Sequence, residues 1–316
     1  METLKINLDL SPAERWAFLA DYKAEIDELI GYYLNDLGDV SFFENVIDHY
    51  KANFVKSSYL EEIVCIAKIS EFSSNQILIS NLYYDALKFV FGCTAFTVQD
   101  GKTPLHARNL DWWTENDALK KYSRIFDFEK DGKVLYSGIG WLGFIGILSG
   151  IRKGGYSVTL NAVLSDESPN LAQPITFLIR DVLEEEAEYD KAVERLSQTK
   201  IASDCLLMVV GTKSEQMTVI ERTPTRYALR KPENGMLVVA NDYKTLTSEK
   251  QTGDVLQQSS CGRYDRTREL VNLYQPQTEE DYMKILKDKQ VKMNITVQQM
   301  ILNPEKGTIW LGDVPS

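Results

Sequence analysis

Residues 81–113 read NLYYDALKFVFGCTAFTVQDGKTPLHARNLDWW, and within this stretch the sequence changes from a helical to an extended pattern. The run CTAFTVQD, which begins at Cys93, is rich in apolar and β-branched residues and is typical of a strand. Asp100-Gly101 is a strong hairpin signal, and the residues after it predict the partner strand. We therefore expect a β-hairpin whose first strand begins at a cysteine.

The turn also predicts which residues face each other across the hairpin. If the Asp-Gly pair forms a two-residue turn, Arg108 lies directly opposite Cys93. A guanidinium beside a thiol favours the nucleophilic thiolate. Asp111, three residues further on, would lie on the other face of the sheet unless a bulge redirects it. These residues alone leave two interpretations of Cys93 open, a catalytic thiol and an inert buried one.

The residues before the hairpin have helical periodicity. Ser11-Pro12-Ala13-Glu14 has the form of a capping box with proline at the first helical position, and amphipathic stretches continue towards residue 92. Apolar stripes of this kind most often serve core packing. We expect residues 1–92 to be mostly helical.

The rest of the chain consists of blocks of strands and blocks of helices. The predicted elements are strands at 132–137 and 155–164, two helices within 174–199, four strands between 204 and 241, helices at 263–274 and 278–289, and a C-terminal hairpin. No linker or low-complexity tract divides these blocks. Their order is expected of an α+β layered sandwich.

Composition and charge limit the classes of function. The 316 residues carry a formal net charge of −11, which argues against nucleic-acid binding because that requires a basic surface. No apolar run is long enough to cross a bilayer and no signal peptide is visible, so we expect a cytoplasmic protein. Four irregularly spaced cysteines form neither a disulfide framework nor a zinc motif.

Two further features have a functional and a simpler interpretation. His106 could act as an imidazole base for a cysteine, although a strand histidine is more often packed or solvent-facing. Gly138-Ile-Gly140-Trp-Leu-Gly143 has the spacing of a dinucleotide-binding motif, but more glycines follow where that motif needs a helix. We interpret it as a glycine-rich strand and loop.

Around Cys93, the sequence resembles the acid ceramidase and N-acylethanolamine-hydrolysing acid amidase family, cysteine members of the N-terminal-nucleophile hydrolases. The resemblance rests on N-x-x-Y-D before the cysteine, on Cys-Thr, and on the motif A-R-N-L-D. It continues through nearly the whole chain. The other matching segments, in order, are LKINLDLSPAERW, GFIGILSGIRKGGYSVTLN, VVANDYK, YDRTR and ITVQQMIL.

The resemblance implies a four-layer αββα sandwich of the N-terminal-nucleophile hydrolase type, in the α+β class. It also implies that the chain cuts itself between Gly92 and Cys93. Residues 1–92 would then form a helical N-terminal subunit and residues 93–316 the αββα catalytic core, together one structural domain.

The resemblance further implies a role for each site residue. Cys93 is the nucleophile, and Gly92 precedes it at the cleavage point. Arg108 and Asp111 orient the nucleophile. Asn161 matches a site asparagine, Asn241 matches the oxyanion-hole asparagine, and Arg266 matches an arginine that comes late in the family's sequences.

The implied activity is hydrolysis of an N-acylethanolamine-like or ceramide-like amide through an acyl-thioester, with the α-amine of Cys93 as the base and no metal or cofactor. Trp112, Trp141 and Leu142 could line an acyl channel or simply pack in the core. The N-terminal helices could contact a membrane surface that supplies lipid. The alternatives are a hydrolase of N-acyl amino acids or bile-salt-type amides, an acyltransferase on the same fold, or an unprocessed, non-catalytic lipid-binding relative.

Overall fold

Two β-sheets form the centre of the structure. The computed structural model describes residues 1–38, 41–87, 91–246 and 255–312. The eight-stranded sheet contains, in spatial order, β1 (Thr3–Asn7), β4 (Ser123–Lys130), β5 (Lys133–Trp141), β6 (Ser149–Arg152), β7 (Tyr156–Asn161), β8 (Cys205–Gly211), β9 (Met217–Arg222) and β10 (Tyr227–Arg230). The five-stranded sheet contains β11 (Met236–Val239), β2 (Phe91–Val98), β3 (His106–Trp112), β12 (Thr296–Asn303) and β13 (Thr308–Leu311). Only the β1–β4 pair of neighbouring strands in these two sheets is parallel.

Helices cover the outer faces of both sheets. The α-helices of the described residues are α1 (Pro12–Arg15), α2 (Lys23–Leu37), α3 (Ser41–Phe54), α4 (Ser57–Ile69), α5 (Ser74–Asn81), α6 (Tyr83–Leu87), α7 (Ala118–Lys121), α8 (Ile175–Glu185), α9 (Tyr189–Gln198), α10 (Val255–Tyr274) and α11 (Glu279–Leu286). Helices α8 and α9 lie on the eight-stranded sheet, whereas α10 and α11 lie on the five-stranded sheet. The order helix, sheet, sheet, helix confirms the predicted four-layer αββα sandwich.

The alternation of side chains along β2 places Cys93 between the two sheets. Ala95 belongs to an apolar cluster with Met208 and Val210 of the opposite sheet. Phe96, one position on, faces the helical layer and stacks on Tyr282 at a ring-centroid distance of 5.1 Å. Because side chains alternate with a period of two, Cys93 faces the same inter-sheet layer as Ala95.

The N-terminal segment packs on the eight-stranded sheet. The predicted capping box is confirmed: the Glu14 backbone N–H donates to Ser11 Oγ, and Pro12 begins α1. The structure differs from the sequence prediction at Thr3–Asn7, which forms strand β1 rather than part of a helix. Its buried residues, Leu4 and Ile6, alternate with exposed ones, and this period of two is that of a strand.

Most predicted strands and helices after the hairpin are present. Helices α8 and α9 are separated by residues 186–188, and both lie within the predicted range 174–199. The glycine motif lies in β5 and the turn after it, as expected. A Cβ on Gly138 would lie 2.5 Å from Ile147 Cδ1, so the backbone approaches its neighbour closely there. In the part of the chain that the structure describes, no helix is both long and apolar enough to cross a membrane.

Candidate active site

The hairpin that carries Cys93 has a different register from the predicted one. Cys93 lies opposite Leu110, and Arg108 lies opposite Ala95. The predicted direct pairing of Cys93 with Arg108 is wrong because residues 99–105 connect the strands, and the Asp-Gly turn is only part of this loop. A shift of two residues leaves side chains on their original face. Arg108 therefore still points into the layer that contains Cys93.

The Arg108 guanidinium is fixed beside the Cys93 thiol. Nη2 lies 3.4 Å from Sγ of Cys93 and 2.5 Å from the Leu160 carbonyl oxygen. Nη1 donates to the Leu148 carbonyl at 2.7 Å and to Ser149 Oγ at 2.6 Å. Both Cys93 and Arg108 are buried. These acceptors on and beside β6 and β7 hold the cation at the sulfur.

Asp111 lies on the opposite face of the sheet, directly across from Gly92. This agrees with simple alternation along β3. Its Oδ1 accepts a hydrogen bond from Thr296 Oγ1 at 2.5 Å. Its Oδ2 is buried without a hydrogen-bond partner among the described residues and lies 4.0 Å from Arg263 Nη1. Burial raises the pKa of Asp111 above its ordinary value, while the nearby Arg263 opposes this shift.

Asn241 follows β11 and contacts the backbone of Cys93. Its Oδ1 accepts from the Cys93 N–H at 3.0 Å, and its Nδ2 donates to the Ala162 carbonyl at 2.8 Å. Asn161, at the end of β7, donates through Nδ2 to the Ala240 carbonyl at 2.9 Å. Asn161 Oδ1 is buried and has no hydrogen-bond partner among the residues described. The two asparagines therefore join the eight-stranded sheet to the segment after β11.

The arginine of α10 that reaches this cluster is Arg263, not the predicted Arg266. Arg263 donates to the Cys93 carbonyl, to Thr94 Oγ1 at 2.8 Å and to Asn241 Oδ1 at 2.7 Å. Arg266 bonds instead with two acidic side chains: its Nη2 lies 2.9 Å from Asp288 Oδ2 and its Nη1 2.8 Å from Glu269 Oε2.

Helix geometry explains the difference between the two arginines. Three residues advance the helix by somewhat less than one turn, so Arg266 lies further along α10 and is rotated away from the sheet. A signal for Arg263 was present in the sequence. Ser260, Arg263 and Thr267 share helical spacing, and all three are buried.

The predicted substrate-binding residues lie together in an aromatic core. Trp112 packs edge-on against Trp141 at 5.2 Å between ring centroids and stacks on Tyr83 at 5.3 Å. Leu142 is also buried. Tyr83 belongs to α6, so this core joins the N-terminal segment to the strands of the site. A role in binding an acyl chain stays a prediction.

His106 takes no part in the cluster around Cys93. Its ring nitrogens each lie 2.9 Å from a hydroxyl oxygen, Nδ1 from Ser157 and Nε2 from Thr159. Burial, together with the positive charge of Arg108, lowers the pKa of His106 to about 3. The imidazole is therefore a neutral bridge between the two sheets. Among the described residues, no three His, Cys, Asp or Glu side chains group as a metal site.

Comparisons with known proteins agree with this geometry. A family model described as acyl-coenzyme A:6-aminopenicillanic acid acyl-transferase matches residues 98–312. The chain is 29% identical over 323 residues to the N-acylethanolamine-hydrolyzing acid amidase of Caenorhabditis elegans, covering 95% of this chain and 88% of that protein. It is 28% identical over 249 residues to the acid ceramidase of Bos taurus, covering 69% of this chain and 62% of that protein. The solved structure of a Caenorhabditis elegans N-acylethanolamine-hydrolyzing acid amidase ortholog matches with a TM-score of 0.59 and 26% identity, covering 70% of this chain and all of the solved one.

Proposed function

The chain belongs to the family described by the acyl-coenzyme A:6-aminopenicillanic acid acyl-transferase model, and from this premise we propose that it is a self-processing cysteine amidase for lipid-type N-acyl amides. Amide-bond hydrolysis is the activity named for its acid amidase relatives. The observation that carries the proposal is the buried environment of Cys93. The Arg108 guanidinium contacts its sulfur, and the Asn241 side chain contacts its nitrogen.

The bond that the chain cuts lies between Gly92 and Cys93. A Cβ on residue 92 would lie 2.5 Å from Met293 Sδ and 3.2 Å from Asp111 Cβ, so the site accommodates glycine without rearrangement.

The thiol attacks the Gly92 carbonyl carbon and its proton passes to the departing nitrogen, which leaves a thioester and a free amine on Cys93. Water then hydrolyses the thioester to a carboxylate on Gly92 and the thiol. Residues 1–92 and 93–316 become two chains of one domain.

Cleavage is also the step that supplies the catalytic base. In the uncut chain the nitrogen of Cys93 is an amide that donates to Asn241, so it cannot accept a proton. A free α-amine has an ordinary pKa of about 7.7–8.0 and takes the thiol proton. Asp111 Oδ2, the buried oxygen beside Gly92 that lacks a hydrogen-bond partner among the described residues, accepts an N–H of the new amine.

Turnover of the substrate follows the same chemistry. The thiolate attacks the amide carbon, and Asn241 Nδ2 together with a backbone N–H holds the negative oxygen of the intermediate. Removing one such donor typically costs about 10²–10³ in rate. The α-ammonium group then protonates the leaving amine, and water hydrolyses the acyl-thioester to a carboxylic acid. Arg108 holds the thiolate, and Arg263 holds Asn241 against the backbone of Cys93.

The acyl chain of the substrate is proposed to lie along Trp112, Trp141 and Leu142. These side chains are sealed beneath the N-terminal segment in the structure, so substrate entry requires part of that segment to move after cleavage. The same segment is proposed to contact a lipid surface. Sedimentation with neutral and anionic vesicles tests this contact: binding to either supports it, and protein left entirely in solution contradicts it.

Amine release from an N-acylethanolamine tests the proposed activity. We expect wild-type protein to release amine, Cys93→Ala to release none, and Cys205→Ala, a matched change of another buried cysteine, to stay active. Equal rates for wild type and Cys93→Ala would contradict the proposal.

The family description favours one alternative, an acyltransferase. In that reaction an acceptor amine, rather than water, takes the acyl group from the thioester. Adding such an amine to the assay distinguishes the two, because an acyltransferase forms a new amide while a hydrolase continues to release acid. A panel that includes N-acyl amino acids and bile-salt-type amides determines the head group.

A further inference from the structure

A buried carboxylate outside the catalytic cluster holds the segment that carries Asn241. Glu221 lies on β9 of the eight-stranded sheet and is fully buried. Its Oε1 accepts the backbone N–H of residue 244 at 3.0 Å, and its Oε2 accepts those of residues 245 and 246 at 2.9 and 2.8 Å. Arg230 Nε lies 3.3 Å from Oε1. Three consecutive backbone donors thus converge on one side chain.

These donors satisfy the whole carboxylate. An ionised carboxylate offers about four acceptor positions, and Glu221 has two donors on each oxygen. The arginine also compensates its negative charge in the interior. A glutamine of the same shape has only one acceptor oxygen, so its NH₂ group would face backbone N–H donors. The arrangement therefore specifies a carboxylate at this position.

A second set of contacts anchors the same segment around Asn241. Arg230 Nη1 donates to the Val238 carbonyl at 2.7 Å, just before Asn241 in the chain. The Tyr243 hydroxyl donates to the Arg222 carbonyl on β9 at 2.6 Å. Together with Glu221, these bonds tie residues 238–246, which leave the five-stranded sheet, to strands β9 and β10 of the eight-stranded sheet. Asn241 lies between the anchors.

We propose that Glu221 is a positioning residue for the amidase reaction, which fixes the segment after β11 so that the side chain of Asn241 stays against Cys93. The inference rests on the proposed function, because it acts through the asparagine that holds the negative oxygen. Glu221 itself touches neither Cys93 nor the substrate.

Glu221→Gln tests the inference through a split between kcat and KM. Losing an oxyanion donor outright costs about 10²–10³ in rate, so a displaced donor should lower kcat by roughly 10- to 100-fold and change KM less than about threefold. In an Asn241→Ala background, the same substitution should change kcat less than about twofold, because the group through which Glu221 acts is already absent.

Glu167→Gln is the matched control. Glu167 likewise accepts a backbone N–H, that of Thr225 at 3.2 Å, and an arginine N–H, that of Arg226 at 2.7 Å. It serves a loop that carries no site residue, and its substitution should leave kcat unchanged. If Glu221→Gln fails to fold, Arg230→Gln replaces it, because this substitution removes one donor from the carboxylate. Arg230→Gln should lower kcat when Asn241 is present and should not lower it in the Asn241→Ala background.

The inference would be overturned if Glu221→Gln had the same kcat as the wild type. It would also be overturned if the substitution lowered kcat equally with Asn241 present and in the Asn241→Ala background. Active wild-type and Glu167→Gln proteins would then show that the proposed function survives. A wild-type chain without amidase activity would overturn both the proposed function and the role of Glu221.

Discussion

The cluster around Cys93 depends on individual side chains whose hydrogen-bonding geometry has no close substitute. Arg108 presents two nitrogens to four acceptors, and a lysine ammonium cannot reproduce that planar fork. Arg263 similarly joins the Cys93 carbonyl to the side chain of Asn241. Asp111 contributes a buried carboxylate oxygen beside the bond to be cut. The chemistry proposed for Cys93 follows from these contacts.

Arg263→Lys and Arg266→Lys form a matched pair on one helix. Arg263→Lys should lower the amidase rate by about 100-fold or more, since losing oxyanion-hole support costs about 10²–10³. Arg266→Lys should retain nearly full activity, because Arg266 forms ion pairs with Asp288 and Glu269 rather than with the residues around Cys93. The measurement is kcat for both variants, and the opposite ranking would restore Arg266 to the site.

Individual strands differ in how far the local sequence determines them. Strand β8 at Cys205–Gly211 begins one residue after the start of the predicted block of four strands at 204, because a buried run of branched residues marks it. Strands β4 and β6 were missed. The segment SGIR of β6 has little strand propensity of its own and is a strand because β5 and β7 pair with it. Tertiary pairing, not local sequence, determines such elements.

The positions of the site residues were predicted with uneven success, because tertiary structure, not local sequence, determines some of them. Cys93, Asn161 and Asn241 come together as expected because each lies at or beside the end of a strand, where small errors in register do little. The opposition of Cys93 and Arg108 was wrong because it depended on the length of one loop. Arg266 lies outside the cluster and Arg263 inside it, because a difference of three positions on a helix decides which side chain faces the sheet.

At the level of elements, helices α4 and α8 are joined by a buried ion pair that spans the proposed cleavage point. Arg180 forms two hydrogen bonds with Glu62 at 2.6 and 2.8 Å, and neither side chain is exposed. Arg180 also lies over the Tyr59 ring at 4.6 Å. The pair therefore connects residues 1–92 to residues 93–316 within the core.

Glu62→Gln should destabilise the fold because it leaves the buried Arg180 charge without its counter-ion. Breaking a buried pair costs about 3–5 kcal/mol, and the remaining contact with Tyr59 favours the lower end of that range. Urea unfolding measures this free energy. Glu61→Gln, at the exposed neighbouring position, should change it by less than about 0.5 kcal/mol. Equal stabilities of the two variants would contradict the role of the pair.

At the scale of the whole molecule, the proposed cut crosses one continuous core rather than a linker. Strand β1 belongs to the eight-stranded sheet through its parallel pairing with β4. A single apolar cluster includes Ile30 and Ile63 of the N-terminal segment as well as Leu148 and Leu178 of the later one. We expect the two pieces to remain associated after cleavage. The cytoplasmic location stays a prediction.

His106, between the two sheets, links the stability of the whole fold to pH. Burial depresses its pKa to about 3 from the usual 6.5, so the unfolded chain binds a proton more readily between these values. This contribution to stability is present above pH 6.5 and is lost as the pH falls towards 3. At pH 4.5, about two pH units below the usual pKa, the loss amounts to about 3 kcal/mol.

Unfolding free energies at pH 7 and pH 4.5 check this effect. His106→Gln removes the titrating group, so its loss of stability between the two pH values should be about 3 kcal/mol smaller than that of the wild type. His49→Gln, at an exposed position, should behave as the wild type does. An unchanged pH dependence in His106→Gln would contradict the account of this histidine.

We propose that Cys93 cuts the chain at its own amino side and becomes N-terminal. The intact masses of purified wild-type and Cys93→Ala proteins under denaturing conditions, after incubation at acid and neutral pH, test it most directly. We predict that the wild type separates into residues 1–92 and 93–316, the larger beginning with Cys93, while Cys93→Ala stays one chain. A wild type that stays uncut at both pH values, or equal cleavage of both proteins, would refute self-cleavage by Cys93.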